Sequence, residues 1–202
     1  MIRKYKGGVL EFAEYDSMDD LKNKAREVLS GRIRGMILRE DLVPAAVLIP
    51  LFKKNGQHHV LFTKRTETVE HHKGQISFPG GMKEEPDRDL EQTVLREVFE
   101  EIGLLGKDVD IVGELDDMET VTKFKVTPFV GFIPYPCEFA VCKEEIEELI
   151  EVPFSFFLDK SNCKEEEWFH DGMIRNIYVY QYDHYRIWGA TARILKRFID
   201  LF

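Results

Sequence analysis

Residues 44–52 read PAAVLIPLF, a nearly unbroken apolar run, and such a run marks a strand covered on both faces. Asn55-Gly56 follows it, the strongest short hairpin signal, and residues 57–64 return as the partner strand. Upstream, Met18, Leu21, Ala25, Val28 and Leu29 recur at helical spacing. They predict an amphipathic helix over 17–33, with Ser17 as N-cap and Asp19 and Asp20 in its first turn. Residues 65–86, with Gly74 and Pro79-Gly80-Gly81, read as loop, and 87–103 as a second helix stopped by Gly103. Strands are expected at 109–115 and 124–133, and one or two helical turns in the acidic stretch 144–150. Pro153 precedes a short aromatic segment at 154–158. A hairpin is expected from 164–170 to 173–183 across Asp171-Gly172, and a closing helix from about Ala190 to Leu201. Strands outnumber helices and mix with them, so the expected class is α/β or α+β with a helix-covered mixed sheet.

Composition narrows the function. The chain has 202 residues, which favours one domain over two. Apolar residues make up 44% and charged residues 32%, and 15 Phe can fill a sizeable core. Lys+Arg is 28 against 37 Asp+Glu, giving −9, a sign that repels nucleic acid and anionic membrane surfaces. No apolar run reaches the ~20 residues of a membrane span, and the start lacks a signal-peptide core. The three cysteines, Cys137, Cys142 and Cys163, contain no CxxC pair and read as reduced thiols of a cytoplasmic protein. Nothing in the sequence argues against a homo-oligomer.

The candidate chemistry lies in FPGGMKEEPDRDLEQTVLREVFEEIGL, residues 78–104. At ~100° per residue, Glu97, Glu100 and Glu101 fall within ~100° of helical arc, and Leu95, Val98, Phe99 and Ile102 lie on another side. Like charges at i, i+3 and i+4 oppose the helix. Hard oxygen ligands suit Mg²⁺ or Mn²⁺, and such an ion would relieve the repulsion. Gly80-Gly81 just upstream permits a close backbone approach and lets the Gly81 carbonyl aim at a metal. The bland alternative is a solvated acidic helix face.

Arg96-Glu97-Val98-Phe99-Glu100-Glu101-Ile102-Gly103-Leu104 resembles the REUxEExGU core of the Nudix box, with U an aliphatic residue. The resemblance implies an α/β/α sandwich around a mixed β-sheet, and hydrolysis of a nucleoside diphosphate linked to another moiety. The loop before the core is one residue longer than the standard box. Arg88 stands where the box has an earlier glutamate, so the acidic group falls to Glu84, Glu85 or Asp87. Upstream, Leu61 to Thr66 and His72 to Gly81 are similar to the motif of the coenzyme A pyrophosphatases. Thr63, Arg65, Gly74 and Phe78 to Gly81 match it, Thr66 replaces a Ser, and Glu70 stands in place of an Arg. Residues 126–131, 145–153 and 187–192 resemble later segments of that subfamily. The likeness spans about 44–202, which makes 44–202 the hydrolase domain and 1–43 a helical segment packed on it.

The resemblance implies that Glu97, Glu100 and Glu101, with the Gly81 carbonyl, hold Mg²⁺ or Mn²⁺, and that Arg96 orients Glu97. Glu97 is the first candidate base and Glu145, from a distant loop, the second. Arg65, Lys64, Lys73 and Gly74 are the candidate substrate contacts, with His71 and His72 nearby, and the alternative for them is a solvated loop. The expected substrate is coenzyme A or an acyl-CoA, cleaved to adenosine 3′,5′-bisphosphate and (acyl-)4′-phosphopantetheine. ADP-ribose, a dinucleoside polyphosphate or a non-standard nucleoside triphosphate is the second reading, and a non-catalytic nucleotide-binding module the third. His170, His184 and Trp188 read as structural, and the six Met as core filler.

Overall fold

A computed structural model of the chain describes residues 18–68, 73–170 and 172–202. The long apolar run forms β1 (Val43–Lys54), which turns at Asn55 and Gly56, both at positive φ, into β2 (Gln57–Arg65). β7 (Phe124–Phe132) runs parallel to β1 on its other side, and β5 (Asp110–Glu114) is antiparallel to β7. Three short strands complete this part: β3 (Ile76–Ser77) on β2, β4 (Gly80–Met82) on β1, and β6 (Met118–Glu119) on β7. β1 meets β4 through 45–47 and β2 through 51–54. Pro50, which has no N–H to offer a neighbour, falls in the gap between those two pairings.

Side chains of β1 alternate between two cores. Ala45, Ile49 and Leu51 face one, with Leu21, Ala25 and Leu29 of α1 (Met18–Ser30). Phe154 and Phe157 of α3 (Phe154–Leu158) and Leu195 and Phe198 of α4 (Gly189–Ile199) join the same core. Ala46, Leu48 and Phe52 face the other, with Val94, Val98 and Ile102 of α2 (Leu90–Ile102). Helices therefore cover both faces of a mixed sheet, the α/β/α arrangement. A second sheet, β9 (Cys163–His170), β10 (Met173–Tyr182) and β11 (Tyr185–Trp188), packs Tyr180 and Ile187 into the first core. No helix among the described residues is long and apolar enough to cross a membrane.

Four expectations change. The stretch 144–150 is not helical: it opens β8 (Ile146–Pro153), antiparallel to β2. Ile146, Ile150 and Val152 point inward, while Glu147 pairs with Lys64 of the neighbouring β2, Glu148 accepts from the Tyr185 hydroxyl and Glu151 pairs with Lys54, so the acidic side chains find partners in a strand. The second helix begins at Leu90, three residues later than expected, because Asp89 caps it by accepting from the Gln92 N–H at 2.8 Å. Phe99 of that helix is 52% exposed, and Val94 takes the core position instead. Finally, the 65–86 loop contains β3 and β4. Ser17 and Asp171 lie outside the described residues, as do Glu70, His71 and His72.

Candidate active site

The double glycine and α2 fit face to face. Gly80 sits at φ +147°, and a Cβ there would come within 2.2 Å of the Ala46 carbonyl oxygen, so only glycine lets β4 lie against β1. A Cβ on Gly81 would stand 2.5 Å from the Glu97 carboxyl carbon. The bare backbone of β4 is thus the surface on which the carboxylates of α2 rest. The Gly80 N–H donates to Glu101 Oε2 at 3.2 Å.

Arg96 is the hub of the outer half of the site. Its Nε and Nη2 donate to the two oxygens of Asp87 at 3.1 and 3.0 Å, a forked pair. Nη2 also donates to the Met82 carbonyl at 2.9 Å, and Nη1 to Glu97 Oε1 and Glu100 Oε2, each at 2.9 Å. All five guanidinium donors are used. Of the three acidic residues that the lengthened loop offered, Asp87 takes the forked hydrogen bonds of the arginine, while Glu84 stands 3.9 Å from it. Its carboxylate is buried, accepts further from the Thr93 hydroxyl and the Glu84 N–H, and is held down to about 2 chiefly by Arg96.

The inner half is different. Glu101 is only 4% exposed and Glu97 is half-buried, so of the acidic arc of α2 only Glu100 is a solvated group. Burial lifts its carboxyl to about 8; repulsion from Glu97 and Glu145 adds to this, and the Gly80 N–H and Arg65 oppose it. Burial also raises Glu97, against the pull of Arg96. Arg65, at the end of β2, places Nη1 3.8 Å from Glu101 and Nη2 3.8 Å from Glu145, and its buried Nε has no partner.

Glu145 reaches this cluster because three segments are tied together. Cys142 N–H donates to the carbonyl of Glu101 at 2.9 Å, Glu145 N–H to that of Cys142 at 3.1 Å, and Thr66 N–H to that of Glu145 at 2.8 Å. The other candidates divide. Gly74, at φ +63°, closes the loop after β2 through its N–H to the Thr66 carbonyl, and Arg65 N–H is fixed by the Gln75 carbonyl. Lys64 directs its ammonium to Glu147, 3.1 Å away, instead of to the cluster, and Lys73 is exposed.

Among the described residues, no group of three or more His, Cys, Asp or Glu side chains is already arranged to hold a metal ion. The donor chemistry nevertheless fits a hard divalent cation. A carboxyl pushed up by burial, with two neighbouring carboxylates adding to the shift, is one whose charge the protein alone does not compensate.

A family model for the NUDIX domain matches residues 42–170. The chain belongs to the Nudix family. It is a Nudix hydrolase, a diphosphatase that acts on a nucleotide derivative. The curated relatives include the uncharacterized Nudix hydrolase NudL of Enterobacter sp. (strain 638), 37% identical over 180 residues that cover 89% of this chain and 92% of the relative. The protein of the same name from Citrobacter koseri is 31% identical over the same shares of both chains. Among solved structures, a C. elegans Ap4A hydrolase binary complex aligns at 19% identity and a TM-score of 0.47, covering 59% of this chain and 83% of that one. Nudix hydrolases generally use divalent metal ions.

Proposed function

We propose that this Nudix hydrolase cleaves the phosphoanhydride of coenzyme A or an acyl-CoA, releasing adenosine 3′,5′-bisphosphate and (acyl-)4′-phosphopantetheine, with Mg²⁺ or Mn²⁺ held at Glu97, Glu100, Glu101 and the Gly81 carbonyl. The observation that carries the reading is the buried Glu101 carboxyl, set between Glu97, Glu145 and Arg65 against the bare Gly80-Gly81 strand. The coenzyme A assignment is supported by how the 61–81 motif folds. Thr63 donates to the Ser77 carbonyl, Phe62 stacks on Phe78, and Arg65 N–H donates to the Gln75 carbonyl, so residues 62–65 and 75–78 of the motif pack together and deliver Arg65 to the carboxylates.

A divalent ion bound there supplies Lewis acidity toward water and phosphoryl oxygens. The chain does the rest. Arg96 and Asp87 fix the Glu97 carboxylate in one orientation. Arg65, with donors to spare, binds the substrate's phosphates as a guanidinium fork. Glu97 is already bound to Arg96, so Glu145, on a loop beside Arg65, is the group that takes the proton from the attacking water.

The test is one turnover panel of coenzyme A, an acyl-CoA, ADP-ribose and nucleoside triphosphates, each with Mg²⁺ and with Mn²⁺. Coenzyme A substrates are expected to lead in kcat/KM. A clear preference for ADP-ribose or a triphosphate would remove the coenzyme A reading and leave the diphosphatase standing.

A further inference from the structure

We infer that Thr66 is a positioning residue for Glu145. The inference rests on the reading of Glu145 as proton acceptor and deepens it. Thr66 follows Arg65 at the point where the β2–β8 register shifts, between Lys64 and Arg65. There the chain leaves the ladder, and Thr66 takes over the contact with the incoming strand. Its N–H donates to the Glu145 carbonyl at 2.8 Å, and its hydroxyl to the Glu144 carbonyl at 3.1 Å. Two consecutive peptide units, on either side of the Glu145 Cα, are thereby held by a single residue. Such a pair of bonds fixes the direction in which the Glu145 side chain leaves the backbone. Arg65 reads the result, with Nη2 3.8 Å from the Glu145 carboxylate.

Two further contacts converge on the same residue. Gly74 N–H reaches the Thr66 carbonyl at 3.4 Å, and the Thr68 hydroxyl lies 2.9 Å from that of Thr66. The Thr66 hydroxyl is the part of this arrangement that a side-chain substitution can remove without touching the backbone bonds. A small misplacement of a proton acceptor is enough to slow a reaction by one to two orders of magnitude.

The experiment compares Thr66→Val, which keeps shape and loses the hydroxyl, with Thr66→Ser, which keeps the hydroxyl. Kinetics use whichever of coenzyme A, ADP-ribose and ATP is turned over best with Mg²⁺. Thr66→Val is expected to lower kcat about tenfold with KM within about twofold, and Thr66→Ser to restore most of it. In a Glu145→Gln background Thr66→Val should have no further effect. Amide hydrogen exchange gives a readout independent of turnover: at Glu145 and Ile146, whose N–H groups both donate to the Cys142 carbonyl, it should quicken in Thr66→Val and recover in Thr66→Ser. An equal kcat loss in the Glu145→Gln background, or unchanged exchange at Glu145 and Ile146, overturns the inference. The wider reading fails separately, if Glu97→Gln and Glu101→Gln keep full metal-dependent turnover.

Discussion

Two arginines meet different carboxylates of one acidic site under opposite conditions. Arg96 spends all five donors within the protein, on Asp87, Glu97, Glu100 and the Met82 carbonyl, at 2.9 to 3.1 Å. Arg65 stands 3.8 Å from each of its two carboxylates and leaves a buried Nε without a partner. A saturated guanidinium is a brace: every bond it makes is to the fold, and its loss is felt by the fold. An unsaturated one at the mouth of a carboxylate cluster is a binding group, since its donors are already paid for in desolvation and gain most from a substrate anion. On the proposed function, the difference divides the site into an outer half that builds and an inner half expected to bind.

The largest effect should come from the inner half. Glu101→Gln keeps the shape of the side chain and its bond from the Gly80 N–H, but removes the ability to ionise that a bound cation requires. We expect kcat to fall by ~10²–10³-fold, equivalent to ~2.7–4 kcal/mol, with a melting temperature at or above that of the native chain. Mg²⁺ or Mn²⁺ should raise the melting temperature of the native protein and leave that of Glu101→Gln unmoved. Calorimetry and a turnover assay on the same samples check both parts. A variant that melts lower and still turns over normally would show that Glu101 is a structural acid.

Arg96→Ala should break the contrast from the other side. It strips the buried Asp87 of its forked partner and leaves Glu97 and Glu100 repelling each other, so a stability loss of about 2–3 kcal/mol is expected in urea titration. Arg65→Ala should do the reverse, with stability within about 0.5 kcal/mol of native and kcat/KM reduced by about 2 kcal/mol, or ~30-fold. Arg65→Lys should recover only part of it, because an ammonium cannot offer the fork. If both alanine variants lose stability equally and bind substrate equally, the two arginines are not distinct.

Much of this was legible in the residues. The apolar run of β1, the Asn55-Gly56 turn and the carboxylates of α2 follow from patterning alone, because each depends on neighbours in sequence. The NUDIX match to 42–170 accords with the motif. What escaped depends on partners far along the chain. The acidic segment 144–150 reads as helix until β2 supplies Lys64 and a hydrogen-bonding edge to its strand. Phe99 is counted as core by its spacing, yet α2 turns Val94 inward. Lys64 and Arg65 are adjacent in one motif, but only the arginine reaches the cluster, and strand alternation was the available signal for that. Asp87 could not be told from Glu84 or Glu85 by spacing in a lengthened loop, and the forked bond to Arg96 is what distinguishes it.

Asp87 also gives the smallest and sharpest test. Its carboxylate is held at about 2, well below the ordinary carboxylate value near 3.8, with Arg96 as the main cause. A depressed carboxylate favours the fold in full while it is charged in both states, and progressively less once the unfolded chain is protonated first. Its contribution is therefore fully present above about pH 4 and disappears as the pH falls through about 2. Asp87→Asn keeps the bond from the Thr93 hydroxyl and loses the charge. It should cost on the order of 1 kcal/mol at pH 6, since Arg96 retains Glu97 and Glu100, and the penalty should shrink as the native protein is acidified toward pH 2. Urea midpoints of both proteins at pH 6, 4, 3 and 2 give the measurement. Converging curves support the brace. A gap that stays constant across that range would mean that Asp87 acts through shape, and that the outer half is not held together by charge.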